Sequence, residues 1–194
     1  MLRRATVSLF LLAVVGCGQP QLAMDAHKKP DQPAEMKKLE VMVGNWAGTS
    51  EMTSPSAEDM KKMMPAGSPE PQTTFKGGGK SEMALGGMAL KSEGWHEMGE
   101  GQKANYIEYW MWDGKAKKYR TWFASDWGEM GTGWATMCGD NCWCNTFTAQ
   151  DHAGGKMNGE GQMCMPDKDT MNWSFTMKSS HGKMSMKGVA KRQK

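Results

Sequence analysis

The sequence predicts an all-β protein, folded as an antiparallel closed β-barrel with a short helix in an early insertion. A β-sandwich is the alternative. Short segments rich in aromatic and β-branched residues recur along the second half of the 194-residue chain. Clusters of turn-forming residues separate them at hairpin spacing. Eight or more short strands in one domain favour closure of the sheet into a barrel.

The composition indicates an unusual core. The chain has 21 Met, 9 Trp and 24 Gly, and its only isoleucine is Ile107. Scarce branched aliphatic residues are typical of disorder, but disorder is accompanied by high net charge and few aromatics, and the net charge here is +3. We therefore expect Met and Trp to fill a folded core. The composition excludes a polytopic membrane protein, a coiled coil and a nucleic-acid binder driven by bulk charge.

The N-terminus predicts export and lipidation. Arg3 and Arg4 precede an apolar stretch at 5–15, which is too short to span a bilayer and fits a signal peptide. Residues 14–17 (Val-Val-Gly-Cys) resemble a lipobox. We therefore predict a lipoprotein signal peptide at 1–16 and diacylation of Cys17; an ordinary signal peptide is the alternative.

The residues after the lipobox predict where the protein is anchored and how it is tethered there. Gly18, rather than Asp, follows the lipidated Cys, which favours the outer membrane of a bacterial cell envelope. Residues 17–35 are polar and proline-rich and predict a disordered tether, and 36–194 a single barrel domain. Removing 1–16 takes away Arg3 and Arg4, which leaves 22 of the 24 basic residues against 21 acidic ones. This near-neutral balance argues against a nucleic-acid partner.

The barrel domain begins with a short helical turn at Glu35–Glu40, followed by a strand at Val41–Thr49. From Lys80 onward the pattern is β throughout. Seven of these later strands are predicted at residues 106–112, 118–126, 131–137, 143–150, 156–165, 170–178 and 183–192.

A proline-rich insertion interrupts this pattern at Thr53–Thr74. Ser56 is placed to cap a two-turn helix whose Met60, Met63 and Met64 share one face. This helix is interpreted as an apolar face docked on the barrel, as a mobile lid over a cavity, or as a Met patch for a soft metal. Its position in the sequence does not decide among these.

Five short motifs follow one another in a recognisable order. They are the run 38–49 (Lys-Leu-Glu-Val-Met-Val-Gly-Asn-Trp-Ala-Gly-Thr), the run 85–90, Trp-Met-Trp-Asp at 110–113, Thr-Trp-Phe at 121–123 and Met-Gly-Thr-Gly at 130–133. In this order they resemble the DUF1579 family of uncharacterised bacterial proteins. The resemblance covers about residues 36–192 and implies a lipocalin-like barrel with no assigned activity. The insertion and the cysteine cluster depart from the family pattern.

The resemblance also implies a role for three residues at one end of the barrel. In such barrels the Trp of the Gly-x-Trp motif, here Gly44 and Trp46, closes one end beneath a basic side chain from the last strand. Lys191 or Arg192 occupies the matching position. A cation over the indole would contribute about 1 kcal/mol. This role is structural.

Four cysteines remain once Cys17 is used for lipidation, and in an exported protein an even set predicts disulfides. They are Cys138, Cys142, Cys144 and Cys164. If residue numbers across the predicted hairpin of 143–150 and 156–165 sum to 306, Cys142 faces Cys164; if they sum to 308, Cys144 does. Cys138 then bonds the remaining cysteine.

Metal binding by the same cysteines is the alternative, as is a set of free or redox-active thiols. With His152 and His181 in nearby turns, the sulfurs would select Cu(I) or Zn(II). His96-x-Met98 and Met184-x-Met186 also resemble parts of copper sites. Replacement of aliphatic core residues by Met explains the dispersed methionines with one assumption. No cofactor is otherwise expected.

The sequence contains no catalytic constellation, so an enzyme is not predicted. Asp113 fits a tight Asp-Gly turn, and Asp126 a strand end. Glu108, within an aromatic strand, is the one carboxylate that suggests a ligand anchor or a base.

We therefore expect a membrane-anchored barrel that binds a small apolar or amphiphilic ligand. The alternatives are a sulfur-rich Cu(I)/Zn(II)-binding envelope protein and a solid-core interaction module without a ligand. Protein partners are not predicted. The pocket candidates are Trp95, Tyr106, Glu108, Trp110, Trp112, Trp122 and Trp134.

Overall fold

The computed structural model describes residues 29–58, 61, 70, 72–99, 101–151, 153–179 and 182–194, and no side chain at 98 or 99. Gln32–Lys194 forms one compact unit. After the helix α1 (Ala34–Lys37) and a 3₁₀ helix (Lys38–Met42), the strands are β1 Gly44–Ser54, β2 Thr74–Ala84, β3 Ala89–Gly99, β4 Gln102–Asp113, β5 Lys118–Ser125, β6 Met130–Gly139, β7 Cys142–Gln150, β8 Lys156–Asp167, β9 Thr170–Ser179 and β10 Gly182–Gln193. A short 3₁₀ turn, Leu85–Gly87, joins β2 to β3.

The ten strands form one closed antiparallel barrel. Each strand pairs with its neighbours in sequence, and β1 closes the sheet by pairing with β10 from Asn45↔Gln193 to Ser54↔Ser185. Closure removes the unpaired edges that a sandwich would leave. The predicted barrel is therefore confirmed, and the sandwich alternative is excluded.

The early elements differ from the prediction at their boundaries. The predicted strand at Val41–Thr49 begins only at Gly44 and continues to Ser54, because residues up to Met42 belong to the 3₁₀ helix. β2 begins at Thr74, and its first half contains the triplet Gly77–Gly79. Glycine is a weak strand former, which explains why local pattern did not mark this segment as a strand.

The predicted helix of the insertion lies mostly outside the described residues. Ala57, Glu58 and Lys61 have helical backbone. Met60, Met63 and Met64 are outside the described residues, as are the predicted signal peptide at 1–16 and Cys17. The interpretations of these segments stay predictions.

The helical segment before β1 packs across one end of the barrel, which we call the capped end. Met36 and Leu39 are fully buried there. The indole N–H of Trp46 donates to the Met42 carbonyl at 2.8 Å. The core at this end includes Met36, Leu39, Trp46, Trp110, Tyr119 and Trp143. Full burial of a Met or Leu side chain contributes about 1.5–3 kcal/mol to the stability of the folded state. The core at this end is built largely from Met and Trp, as the composition predicted.

Arg192 ties the capped end to the last strand. Its guanidinium lies 4.3 Å from the centre of the Trp46 ring and donates to the carbonyls of Val41, at 2.8 Å, and Val43. A Cβ at Gly44, where φ is +141°, would overlap this guanidinium. The resemblance left open whether Lys191 or Arg192 covers Trp46. In the structure Arg192 does so, and the Lys191 ammonium group donates to the Thr170 hydroxyl instead.

The cysteines form two disulfides, Cys138–Cys144 and Cys142–Cys164. The β7–β8 register pairs Cys142 with Cys164, so the sum across the hairpin is 306. The prediction of disulfides is confirmed. Because all four sulfurs are bonded in pairs, these residues offer neither the thiolates of a metal site nor free thiols; copper or zinc binding elsewhere in the chain stays a prediction.

Candidate functional site

Strand alternation decides which side chains face the interior of the barrel. Burial and register place the even-numbered residues of β1, β3, β4 and β10, and the odd-numbered residues of the other strands, on the inner wall. Among the pocket candidates, those on β4 face inward: Tyr106, Glu108, Trp110 and Trp112.

The other three pocket candidates lie on the outer face. Trp95 is covered by the ammonium group of Lys103 at 4.0 Å, and Trp134 by the guanidinium of Arg120 at 5.3 Å. Trp122 is 43% exposed. These three residues are therefore not part of the inner wall. Their aromatic character alone could not distinguish the two faces of a strand, because successive side chains point to opposite sides.

The inner wall differs between the two halves of the barrel. Near the capped end the inward side chains are buried, as Trp110 is at 4% exposure, and Trp112 packs edge-on against Tyr119 with ring centres 5.2 Å apart. In the other half many inward side chains keep part of their surface accessible. They include Tyr106, Glu108, Phe123, Phe147, Trp173 and Phe175. This half of the interior is therefore accessible space rather than packed core.

Glycines opposite the inward rings account for much of that space. Several inward aromatic residues have a glycine as direct cross-strand partner, and in four described pairs the glycine lies against the ring: Tyr106–Gly94, Phe123–Gly131, Phe147–Gly159 and Trp173–Gly188. In each pair a Cβ on the glycine would overlap the ring of its partner. The rings therefore lie against the neighbouring strand, in the room that the missing Cβ of each glycine leaves.

Glu108 is the polar centre of this wall. It faces inward in the middle of β4, opposite Ser92 of β3 and Phe123 of β5. Burial raises the pKa of its carboxyl to about 7, although the indole N–H of Trp110 donates to it and partly opposes the rise. The carboxyl is surrounded by protein, yet the residue keeps part of its surface accessible. A residue with both properties lines an internal space.

Tyr106 and His96 extend the polar surface along the same wall. Burial, with a smaller contribution from the charge of Glu108, raises the pKa of Tyr106 to about 12. The His96 ring lies 6.1 Å from that of Tyr106, and burial lowers its pKa against the opposing effect of Glu129 and Asp126. Near neutral pH both side chains are therefore uncharged donors or acceptors of hydrogen bonds.

Sequence reasoning missed the wall opposite β4. Trp173 and Phe175 of β9 face inward with stacked rings whose centres are 5.7 Å apart, and Met177 follows on the same face. The alternation Trp-x-Phe-x-Met at 173–177 was a usable signal, because residues spaced by two share one face of a strand.

Four methionines lie side by side on this same part of the wall. Met177 of β9 is the direct partner of Met184 of β10, and Met186 of β10 is the direct partner of Met52 of β1. All four face inward and keep part of their surface accessible. We call them the methionine quartet.

Two open grooves on the outer face are less suited to a ligand. One runs over β1 and β8–β10 and is lined largely by short polar side chains such as Thr49, Asn172 and Ser174. The second extends over β6–β10 and includes Thr146 and Thr176. Neither groove includes Glu108, the carboxyl whose pKa burial raises, so we place the candidate site on the inner wall.

Two further structural observations concern metals and membranes. The described residues contain no group of three or more His, Cys, Asp or Glu side chains arranged to hold a metal ion. Across the described ranges, no helix combines the length and the apolar character needed to cross a bilayer.

Comparison with known proteins gives structural matches alone. No protein-family model and no curated protein matches the chain. Three solved structures that do match are EF1p2_mFAP2b bound to DFHBI (12% identity, 81% of this chain and 98% of that one, TM-score 0.44), the redesigned β-barrel b11L5F_LGL (13%, 81% and 96%, 0.42) and the S-type phycobiliprotein lyase CPES from Guillardia theta (11%, 81% and 92%, 0.48). With each TM-score below 0.5, nothing about ligand or activity is inferred from them. The DUF1579 resemblance stays a prediction.

Proposed function

We propose that this chain is an envelope-tethered lipoprotein whose barrel binds a small apolar or amphiphilic molecule. The supporting observation is Glu108, whose pKa is raised by burial although the residue keeps part of its surface accessible. It lies on an inner wall whose aromatic rings pack against glycines of the neighbouring strands. A mostly apolar cavity with a few convergent polar groups is the usual form of a small-molecule site. The partly accessible inner wall also argues against the solid-core interaction module.

Native mass spectrometry of the protein after mild extraction from membranes tests the binding proposal. We expect a co-purifying small molecule that organic solvent removes, and rebinding of an apolar probe, 1-naphthylmethanol, to the stripped protein in calorimetry. Phe175→Ala, which removes an inner ring, should weaken probe binding, whereas Trp122→Ala on the outer face should leave it unchanged. A bare mass combined with no probe binding would overturn the proposal.

The tether is tested separately through Cys17. The residues 14–17 motif supports diacylation at this position, and two or three acyl chains hold a protein on a membrane far more firmly than one. We expect Cys17→Ser to move the protein from the membrane fraction to the soluble fraction with its far-UV circular dichroism unchanged. Retention of the variant in the membrane fraction would contradict lipid anchoring.

A second candidate function is binding of Cu(I), and the methionine quartet is the observation that favours it. Thioethers are soft ligands that select Cu(I), and the cross-strand pairs Met177–Met184 and Met52–Met186 bring four of them to one patch of wall. Anaerobic competition with a chromogenic Cu(I) chelator tests this candidate. Met177→Leu/Met184→Leu should lower the affinity, whereas Met111→Leu, an exposed residue on the outer face of β4, should not.

A further inference from the structure

Glu108 has no counter-charge inside the barrel. Among the described residues of the inner wall the only other acidic one is Asp167, which is exposed beyond the bulge at the end of β8, and the basic ones are Arg192 at the capped end and His96, whose lowered pKa leaves it uncharged near neutral pH. The guanidinium of Arg192 is already bonded to backbone carbonyls and lies 3.4 Å from Asp169. No ion pair involves Glu108 within the part of the chain that the structure describes.

Such a carboxyl is costly unless something compensates it. An enclosed charge without a partner lowers the stability of the folded state. Packing does not explain the residue either, because a Leu or Met at this position would fill the same space without that cost. A strongly perturbed acid in a cavity is therefore a candidate for contact with a ligand. Within the described ranges, the one donor to Glu108 is the Trp110 indole, a single N–H, which leaves acceptor positions of the carboxylate available.

The rings around Glu108 add a second preference. Phe123 lies directly opposite on β5 and meets Phe147 edge-to-face at 6.0 Å, and Tyr106 precedes Glu108 on the same face. Aromatic faces attract cations, and the attraction grows when water is excluded. A carboxylate flanked by aromatic side chains matches an ammonium group attached to an apolar body.

We propose that the barrel takes an apolar molecule that carries a protonated amine, and that the Glu108 carboxylate is the partner of that amine. This inference rests on the proposed ligand-binding function and deepens it by naming the ligand class. The accessible half of the wall would hold the apolar body through Trp173 and Phe175, while Glu108 at mid-strand would set its orientation.

Three probes of nearly equal shape test the inference by calorimetry on the full mature chain: 1-naphthylmethylamine, 1-naphthylmethanol and 1-naphthoate. We expect the amine to bind about tenfold more tightly than the alcohol, which corresponds to one favourable charge contact, and the acid to bind most weakly. Glu108→Gln should abolish the preference for the amine while the alcohol still binds. Glu160→Gln, an exposed carboxylate on the outer face of β8, should preserve it.

The outcomes separate the two proposals. Equal binding of amine and alcohol, or a preference for the amine that survives in Glu108→Gln, overturns the assignment of Glu108 and leaves ligand binding standing. Absence of binding by all three probes, together with a bare mass in native spectrometry, overturns both. Far-UV circular dichroism of Glu108→Gln establishes that a lost preference is not a lost fold.

Discussion

Trp173 and Gly188 face each other across β9 and β10, and the indole ring lies directly against the glycine backbone. A Cβ at position 188 would overlap the six-membered part of the ring. The arrangement lets a large side chain face the interior of the barrel without occupying the axis. It is one of four described pairs on the inner wall in which a glycine Cβ would overlap the partner ring, and it explains how a barrel rich in aromatic residues keeps accessible space.

Replacing Gly188 by Ala should force the Trp173 ring toward the axis. We expect a loss of about 1–3 kcal/mol in the free energy of unfolding, because a rigid ring and a strand backbone leave no room for the methyl group. Binding of 1-naphthylmethanol should weaken as the ring enters the cavity. Urea denaturation followed by tryptophan fluorescence measures the first effect. Gly114→Ala is the control, since a Cβ there meets its nearest atom at 3.9 Å; equal behaviour of the two variants would refute the explanation.

Glu108 should make stability fall as pH rises. Its folded pKa of about 7 lies above the usual value of 4.5, so the folded state holds a proton that the unfolded state releases, and stability declines between about pH 4.5 and pH 7. Glu108→Gln should therefore gain on the order of 3 kcal/mol over the parent protein at pH 8 and almost nothing at pH 4. The other titratable groups on this wall, Tyr106 and His96, do not produce this sign: Tyr106 stays neutral throughout, and the lowered pKa of His96 makes stability rise with pH.

Denaturant titrations at several pH values measure this difference. The comparison between parent and variant cancels the contributions of all other titrating groups, including His96. A constant difference between pH 4 and pH 8 would show that Glu108 titrates normally and is not enclosed.

The two disulfides should contribute unequally to stability. Cys142–Cys164 spans 22 positions and Cys138–Cys144 spans 6. Because a longer closed loop restricts the unfolded chain more, we expect losses of about 3 and about 2 kcal/mol for the double Ser variants of the two pairs. Thermal and urea unfolding measure these losses, and peptide mapping without reduction checks the connectivity. Recovery of a Cys144–Cys164 peptide would contradict the observed β7–β8 register.

Arg192→Met should destabilise the capped end by about 3 kcal/mol. The change removes the cation over Trp46 and leaves the carbonyls of Val41 and Val43 without their charged donor. Lys187→Met is the matched control on the same strand, where an exposed ion pair with Glu51 contributes at most about 1 kcal/mol. Hydrogen exchange at Leu39 and Met42 amides would show whether the loss is local to the helical segment. Similar losses in both variants would argue against a capping role for Arg192.

Turn signals and strand-forming residues were sufficient to place most of the later hairpins. The predicted strand at 156–165, for example, is observed at Lys156–Asp167, and that at 183–192 at Gly182–Gln193. β2 was missed at its start because Gly77–Gly79 has no local strand preference, and its pairing with β1 and β3 compensates for that weakness. The disulfides were predicted from export and an even cysteine count, but their connectivity depended on register.

The candidate site, too, could be predicted from the sequence only in part. That Tyr106 and Glu108 share a face follows from their spacing of two, so the chain sequence was enough to pair them. That this face is the inner one depends on pairing across all ten strands, because alternation alone does not tell which side of a strand is covered. The outward placement of Trp95, Trp122 and Trp134 has the same origin.

Residue pattern was therefore enough to predict a β fold, a Met- and Trp-filled core and the cystines, since each depends on local preference or composition. Closure of the sheet decided the rest: which aromatic residues face the axis, which glycine lies opposite each ring, and that Glu108 has no basic residue facing it from the described strands. These relations join residues far apart in sequence, and only strand register brings them into contact.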